Sequence, residues 1–493
     1  MDLDPSTLDP ARISDVYGVT VAQQIFDGIV SYDHTLTITP GLAQSWTASR
    51  DWLTWTFRLR RGVKFHHGRE LTADDAVFSI GRILDPRTKS HVSDLFMNIR
   101  GAKEFREGRA PKLDGLEALD RYTFRVSLQE ASVPFVTVLA IVHARVVPKE
   151  LVEAQGEGFG QRPVGTGPFR FVRWNRNKEI ILEANPDYYD GRPFLDRVEY
   201  KVYPGMLYEQ MLKEFSQGEL EDTPIPAKDR SRLPSDKYQY VRRPMFSLRF
   251  YGLNTKRPPL NDRRVRQAIH FAFDKGAVVE RIHQNRFTLA NGILPPGTLG
   301  YNPKLSGYAY DPAKAKQLLE QAGFPNGRGL PPITFWSSAK FDDLVLEHQQ
   351  FKKNLSEIGI RIVLSYNTDW PSFSRMLREG KAEIFQYAWY ADIPDPDNFL
   401  FKLFHSQSPR NYSFYTNPFV DGLLLQARAS TDQRRRVELY RQAEQLIMDD
   451  APVIPVIHHT YERLFQPYVR SIEVNGLGDP YIPMRKIWLD KGK

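Results

Sequence analysis

A chain of 493 residues with 41% hydrophobic and 12% aromatic residues has the length for several domains or one elaborate two-lobed body and the makeup of an ordinary soluble globular protein. Its 67 basic and 59 acidic residues leave a charge of +8, but they are scattered, and no RNA- or DNA-binding motif accompanies the densest runs at 58–61 and 434–436, so no nucleic-acid partner is expected. The absence of cysteine excludes disulfides, cysteine metal sites and thiol catalysis, and no apolar run is long enough for a membrane-spanning helix.

Residues 1–10 carry neither a charged n-region nor an apolar h-region, so the chain is expected to begin after a removed export signal or lipobox. A polar loop over Ala11–Tyr17 precedes a helix with Val21, Ile25 and Phe26 inward, closed by Asp27-Gly28. Leu53, Trp55, Phe57 and Leu59 alternate with Thr54, Thr56, Arg58 and Arg60, the period of a half-buried strand. Gly62 turns the chain into a short second strand at Val63–Phe65, and Gly68 turns it again. Thr72 takes the N-cap of the next helix, with Asp74 and Asp75 facing the positive end of its dipole. Ala76, Val77, Ile80, Ile83 and Leu84 form its apolar face, and Asp85-Pro86 stops it.

A basic loop near 100–112, a strand at Tyr122–Leu128 and a glycine-rich turn at 156–160 follow. In PVGTGPFRF at 163–171, Gly165 and Gly167 permit a tight backbone path, and Pro168 sets the start of a strand. A proline-rich connector then meets a helix bearing Val265, Ala268, Ile269 and Ala272. The next helix is punctuated by Asp311 as N-cap, Pro312 at its first position and Gly323 beyond its end, with Leu318 and Leu319 buried. Helix, glycine stop and strand recur over 351–366, and Asp432 opens a helix reaching about Met448. This alternation argues for an α/β lobe.

The search for catalytic motifs yields little. The chain has no GxSxG elbow, HExxH, Walker A loop or GxGxxG fingerprint. His66-His67 and His458-His459 are adjacent pairs, and neighbours in a strand point to opposite faces, which is poor chelate geometry. His405, in a loop, is a candidate metal ligand, and Asp395 with Asp397 is an imaginable hydrolase pair; adjacent prolines favour a structural role for the two acids.

The block at 45–84, with LAQSW at 42–46 leading into it and FHHGRELTADDAVFS inside it, resembles the signature of periplasmic solute-binding proteins serving peptide and nickel ABC importers. PVGTGPFRF and the 251–273 stretch are similar to further landmarks of that family, so the resemblance spans nearly the whole chain. It implies an α/β, two-lobed periplasmic-binding-protein fold with a hinge, of the large three-domain type. Segments 1–41, 162–250 and 459–493 would form lobe one, 42–161 an added domain and 251–458 lobe two. A ligand would be captured in the cleft and delivered to the importer's membrane subunits by a monomer without cofactor or catalysis. The location implied is the periplasm or the outer face of the cytoplasmic membrane.

The resemblance also implies a site. AWYAD, within QYAWYADIPDPDNFL at 386–400, is similar to the strand with which oligopeptide-binding relatives hold the ligand main chain. It places Asp392 where a carboxylate pairs the ligand's α-ammonium, with the backbone of Trp389, Tyr390 and Ala391 beside it. The bland alternative is that Asp392 caps the turn before Pro394. Trp370 and Trp389 have the spacing of two site tryptophans, and Asp15, Val16 and Tyr17 fall where ligand backbone is gripped. The arginines expected to balance a ligand carboxylate are replaced by Leu377 and Gln386 or, in the dipeptide branch, by Val345 or Leu346. Arg375, Arg378 and Lys340 stand nearby. A peptide is the expected ligand; a nickel chelate, opine or oligosaccharide is the alternative, and a cleft hydrolase comes last.

Overall fold

The computed structural model describes residues 1–205, 207–226 and 237–492, so part of the 162–250 segment lies outside the described residues. The chain divides into two units, Met1–Arg243 with Tyr461–Lys493, and Pro244–Thr460.

In the first unit, Asp15 caps helix α1 (Val16–Ile25) by accepting from Gly18 N at 2.7 Å. The expected loop over Ala11–Tyr17 is confined to residues 13–15, between a 3-10 turn at Pro10–Arg12 and the first residues of α1. Strands β1 (Ala43–Ala48), β2 (Thr54–Leu59), β3 (Leu116–Asp120) and β4 (Thr123–Ser127) make an antiparallel sheet in the order β1-β2-β4-β3. Trp55, Phe57 and Leu59 of β2 point inward as the alternation predicts, and Phe57 stacks on Phe124 at 5.0 Å. Helix α2 (Ala73–Leu84) lies against β3 and β4 with Ala76, Ile80, Ile83 and Leu84 buried, while Val77 is half-buried. Its capping box is complete: Thr72 N donates to Asp75 at 2.9 Å, and Arg69 closes on the same carboxylate at 2.6 Å.

Three local expectations are corrected. Val63–Phe65 is not a strand, because the turns at Gly62 and Gly68 leave room for a single bridge, Lys64 to Glu70. The basic stretch near 100–112 contains a helix, Ala102–Arg106, which Gly101 opens at a positive φ of 78°. The glycine-rich stretch winds into a 3-10 helix, Gly156–Gln161.

Strands β5 (Phe169–Asn175), β6 (Glu179–Ala184) and β7 (Arg197–Lys201) form a second antiparallel sheet. The chain before β5 crosses the last turn of α1 so closely that a Cβ on Gly165 would stand 2.1 Å from the carbonyl oxygen of Ile25. Gly167 N donates to that carbonyl at 2.9 Å. Only a hydrogen atom fits there.

The second unit is built on one six-stranded sheet. Strands β8 (Ser247–Leu253), β9 (Thr288–Leu289), β10 (Ile333–Ser337), β11 (Ile362–Tyr366), β12 (Ile384–Tyr390) and β13 (Val453–His458) lie in the order β9-β13-β8-β12-β10-β11. Pairing is antiparallel except along β10, whose neighbours on both sides are parallel to it. Every residue of β8 is buried, as a central strand covered on both faces requires. Helices α3 (Arg263–Ala272), α4 (Pro312–Gln321) and α5 (Asp342–Ser356) supply the core on the Tyr251 face, where Phe273, Phe335 and Phe351 crowd that tyrosine. The punctuation of α4 matches its sequence: Asp311 accepts from Lys314 N at 2.9 Å, and Gly323 has a φ of 89°. Leu319 is buried, but Leu318 only partly so.

Helix α6 (Trp370–Arg378), helix α7 (Asp397–Phe404) and helix α8 (Gln433–Asp450) complete the elements used below. Two buried ionisable side chains fasten the segment after β9. Lys275 Nζ donates to the carbonyls of Ala290 and Pro455, each at 2.9 Å. Glu444 of α8 accepts from Ile293 N and Leu294 N, each at 2.8 Å.

Candidate functional site

Trp389 and Tyr390 end strand β12, whose register sets Ser247 opposite Tyr390 and Arg249 opposite Ala388. Side chains alternate along a strand, so Phe385, Tyr387 and Trp389 share one face, while Gln386, Ala388 and Tyr390 share the other. Ala391 N donates to Phe246 O at 2.8 Å, which extends the pairing one step beyond the strand.

The segment after β12 is held by a residue the sequence reading missed. Asn398, in the first turn of α7 and 2% exposed, accepts from Asp392 N at 3.0 Å and from the Trp389 indole at 3.2 Å. Its amide nitrogen lies 3.4 Å from the Asp392 carboxylate. One buried amide thus orients both the tryptophan and the aspartate. The only sequence signal was an Asn just after the Pro-Asp-Pro-Asp run, which reads as turn chemistry.

Trp370 is the first residue of α6, which Asp369 caps, and it stays 49% exposed. Its ring lies 6.1 Å from Tyr387, so it stands on the Trp389 face of the sheet. Tyr390, also 49% exposed, stacks on His459 at 5.0 Å on the opposite face. Asp15, Val16 and Tyr17 belong to the first unit. Besides capping α1, the Asp15 carboxylate accepts from Ser6 N and Ser6 Oγ at 3.0 and 2.6 Å. Val16 is exposed, and the Tyr17 hydroxyl points to Asp2 at 3.5 Å.

The other candidate side chains meet partners within the fold. Arg436 Nη2 reaches both oxygens of Asp395 at 3.0 Å, a buried ion pair that ties α8 to the turn before α7. Asp395 also caps that turn by accepting from Asp397 N at 3.0 Å. Asp397 meets Arg428 at 3.2 Å and the Tyr440 hydroxyl at 3.4 Å. His405 lies in the loop that leaves α7, as its C-cap, and is buried and stacked on Phe401 at 4.3 Å. His66 and His67 lie in a turn rather than a strand; His66 contacts the backbone of Gly165 and Gly167, and His67 pairs with Glu150 at 3.0 Å. Among the described residues no group of three His, Asp or Glu is placed to hold a metal ion.

Of the positions standing where carboxylate-binding arginines were expected, Leu377 is buried, and Gln386 is buried against the Ser337 hydroxyl at 2.9 Å. Leu346 is exposed, but carries no charge to offer a ligand.

A polar network underlies the Tyr390 face. Arg249 Nη2 donates to Glu347 of α5, His283 Nε2 contacts the same carboxylate oxygen at 2.5 Å, and Tyr251 donates to its other oxygen at 2.7 Å. Burial pushes the Glu347 carboxyl up, but Arg249 and His283 outweigh it and hold it at about 2. Burial, with Arg249 next, pushes His459 down to about 3 and keeps that ring neutral.

The sequence profile of the bacterial extracellular solute-binding proteins, family 5 Middle, matches residues 37–411. Heme-binding protein A of Haemophilus influenzae is 33% identical over 475 residues, covering 91% of this chain and 84% of its own. The dipeptide-binding protein of Escherichia coli is 30% identical over 465 residues, covering 90% and 85%. Among solved structures, HbpA2 from Haemophilus parasuis superposes with a TM-score of 0.85 at 30% identity, over 99% and 98% of the two chains. The periplasmic binding protein DppA from Helicobacter pylori, in complex with the peptide STSA, gives 0.81 at 28% identity, over 99% and 97%. These matches bear out the expected fold class, a mixed α/β solute-binding-protein fold. This chain belongs to the bacterial extracellular solute-binding proteins of family 5.

Proposed function

We propose that this protein is the peptide-capturing component of an ABC importer, working in the periplasm or at the outer face of the cytoplasmic membrane. In this reading Asp392 pairs the α-ammonium of the ligand, and the backbone of Trp389–Ala391 lies along its main chain. Trp370 adds apolar surface, and Asp15, Val16 and Tyr17 are further candidate ligand contacts. The observation that carries it is the Asn398 clamp: a buried amide fixes a carboxylate and an indole together at an exposed strand end. A fixed carboxylate is the group an ammonium needs, because ordering cost is met before the ligand arrives. Two of the most similar relatives are named for di- or tripeptide binding, which supports the same reading. The reading includes the division into 1–41, 162–250 and 459–493, then 42–161, then 251–458, and it requires no cofactor and no catalysis.

A second reading is a non-peptide ligand. It is favoured by the 33% identity to a protein named for heme binding. Native mass spectrometry of the purified protein, with release and identification of any retained ligand, separates the two. A ladder of peptide masses supports the first reading; a single non-peptide mass, with indifference to peptide mixtures, replaces it with the second.

A further inference from the structure

The first unit holds a polar cavity of about 160 Å³ at the C-terminal end of α1, with Gln23, Asp27, Ser31, Arg145, Tyr188 and Arg485 in its wall. Gln24, also in the wall, donates to Ile482 O at 3.0 Å and accepts from Met484 N at 3.2 Å, which fastens the C-terminal segment to α1. Asp15, Val16 and Tyr17 sit at the opposite end of that helix; at ~1.5 Å per residue, Asp15 and Gln24 are about 13 Å apart along its axis. The cavity lies wholly within the first unit, whereas Asp392 belongs to the second.

The more exposed charges of the wall are matched locally. Arg485 meets Asp190 at 2.7 Å, Lys486 meets Glu473 at 2.9 Å, and Asp33 accepts from Thr35 N and Thr37 N within its own turn. Two buried charges are not matched. Arg145 is 4% exposed; its Nη2 donates to Gln23, while its Nε is buried without a hydrogen-bond partner. Asp27 is 6% exposed and accepts from the Tyr188 and Thr166 hydroxyls, each at 3.0 Å. Among the described residues neither Arg145 nor Asp27 makes an ion pair, with each other or with any third group. Burial pushes the Asp27 carboxyl up against the pull of Arg145, so the two groups feel each other without touching. A buried guanidinium without an anion and a buried carboxylate without a cation each carry a desolvation cost that a partner offsets. One occupant meets both if it has an anionic and a cationic end. A cavity of about 150 Å³ admits a molecule of benzene's size, which limits that occupant to about six to eight non-hydrogen atoms.

We propose that this cavity is an accessory site for a small α-amino acid, whose carboxylate takes the unspent donors of Arg145 and whose ammonium meets Asp27. The site is separate from the peptide site and does not depend on what that site binds. The test titrates glycine, L-alanine and L-serine calorimetrically into the wild-type protein, with L-alaninamide and N-acetyl-L-alanine as analogues lacking one charge. The same titrations are made on Arg145→Gln, Ser31→Phe and Asp392→Asn. Ser31→Phe fills the cavity and leaves both charges in place, so it decides the case if Arg145→Gln lowers the melting temperature. The wild type should bind alanine roughly ten-fold or more tightly than either analogue, since each analogue leaves one buried charge unmet. Arg145→Gln and Ser31→Phe should bind alanine no better than the wild type binds the analogues, and Asp392→Asn should bind it as the wild type does. Failure of all three amino acids to bind the wild type overturns the proposal and leaves the cavity to water. Equal affinity for alanine and alaninamide overturns it too, as does wild-type affinity retained by Ser31→Phe. A loss confined to Asp392→Asn would move the amino acid to the strand end and also overturn it.

Discussion

Glu444 offers a perturbation whose size follows from its surroundings. Its carboxyl is 2% exposed, and burial pushes it from 4.5 up to about 7, against the opposing pull of the Leu294 and Ile293 amides and of Arg441. Between those two values the folded chain holds a proton that the unfolded chain releases. The associated stability is complete below about pH 4.5 and is lost as pH rises through 7. Raising the carboxyl from 4.5 to about 7 is worth about 3 kcal/mol. Glu444→Gln keeps an oxygen for the two amides but cannot ionise. The difference in unfolding free energy, variant minus wild type, should therefore rise by about 3 kcal/mol between pH 4.5 and pH 8. Urea denaturation followed by tryptophan fluorescence at both pH values measures it. A difference that is the same at both would mean that Glu444 ionises without penalty and that burial does not govern it.

Glu347 should behave with the opposite sign. It is held at about 2, so its contribution is present above about pH 4.5 and lost as pH falls toward 2; Glu347→Gln should flatten the acid limb of the stability profile. Gly165→Ala should give little folded protein, because the added carbon would sit 2.1 Å from the Ile25 carbonyl, whereas Gly158→Ala, with nothing within 4 Å, should melt like the wild type. Asp395→Asn should cost about 3–5 kcal/mol by leaving Arg436 buried without its carboxylate, measurable by chemical denaturation.

The local punctuation of this fold is legible in the sequence because it depends on neighbours along the chain. Thr72 with Asp75, and Asp311 with Pro312 and Gly323, are caps whose partners lie within a turn or three. The alternation at Trp55, Phe57 and Leu59 needs only one buried face. Asp15 was readable as a helix cap three residues before Gly18, yet its polar neighbours suggested a loop. Val63–Phe65 has strand-forming residues, but strand pairing needs a partner, and only Glu70 is within reach.

The site was legible to the extent that it is one segment, Trp389–Asp392. What positions that segment was not. Asn398 matters through two contacts that only the fold of the turn creates. Arg249 and Glu347 are 98 positions apart, and neither looks unusual in its own stretch of sequence. Long-range polar networks of this kind have no periodicity to betray them.

The central claim is that Asp392 anchors a ligand ammonium. Calorimetric titration of trialanine into the wild-type protein and Asp392→Asn tests it most directly. The amide retains shape but not charge, so affinity should fall by about 2–5 kcal/mol, the cost of removing one partner from a desolvated charge pair. Tight binding by the wild type and equal affinity in Asp392→Asn would contradict the account.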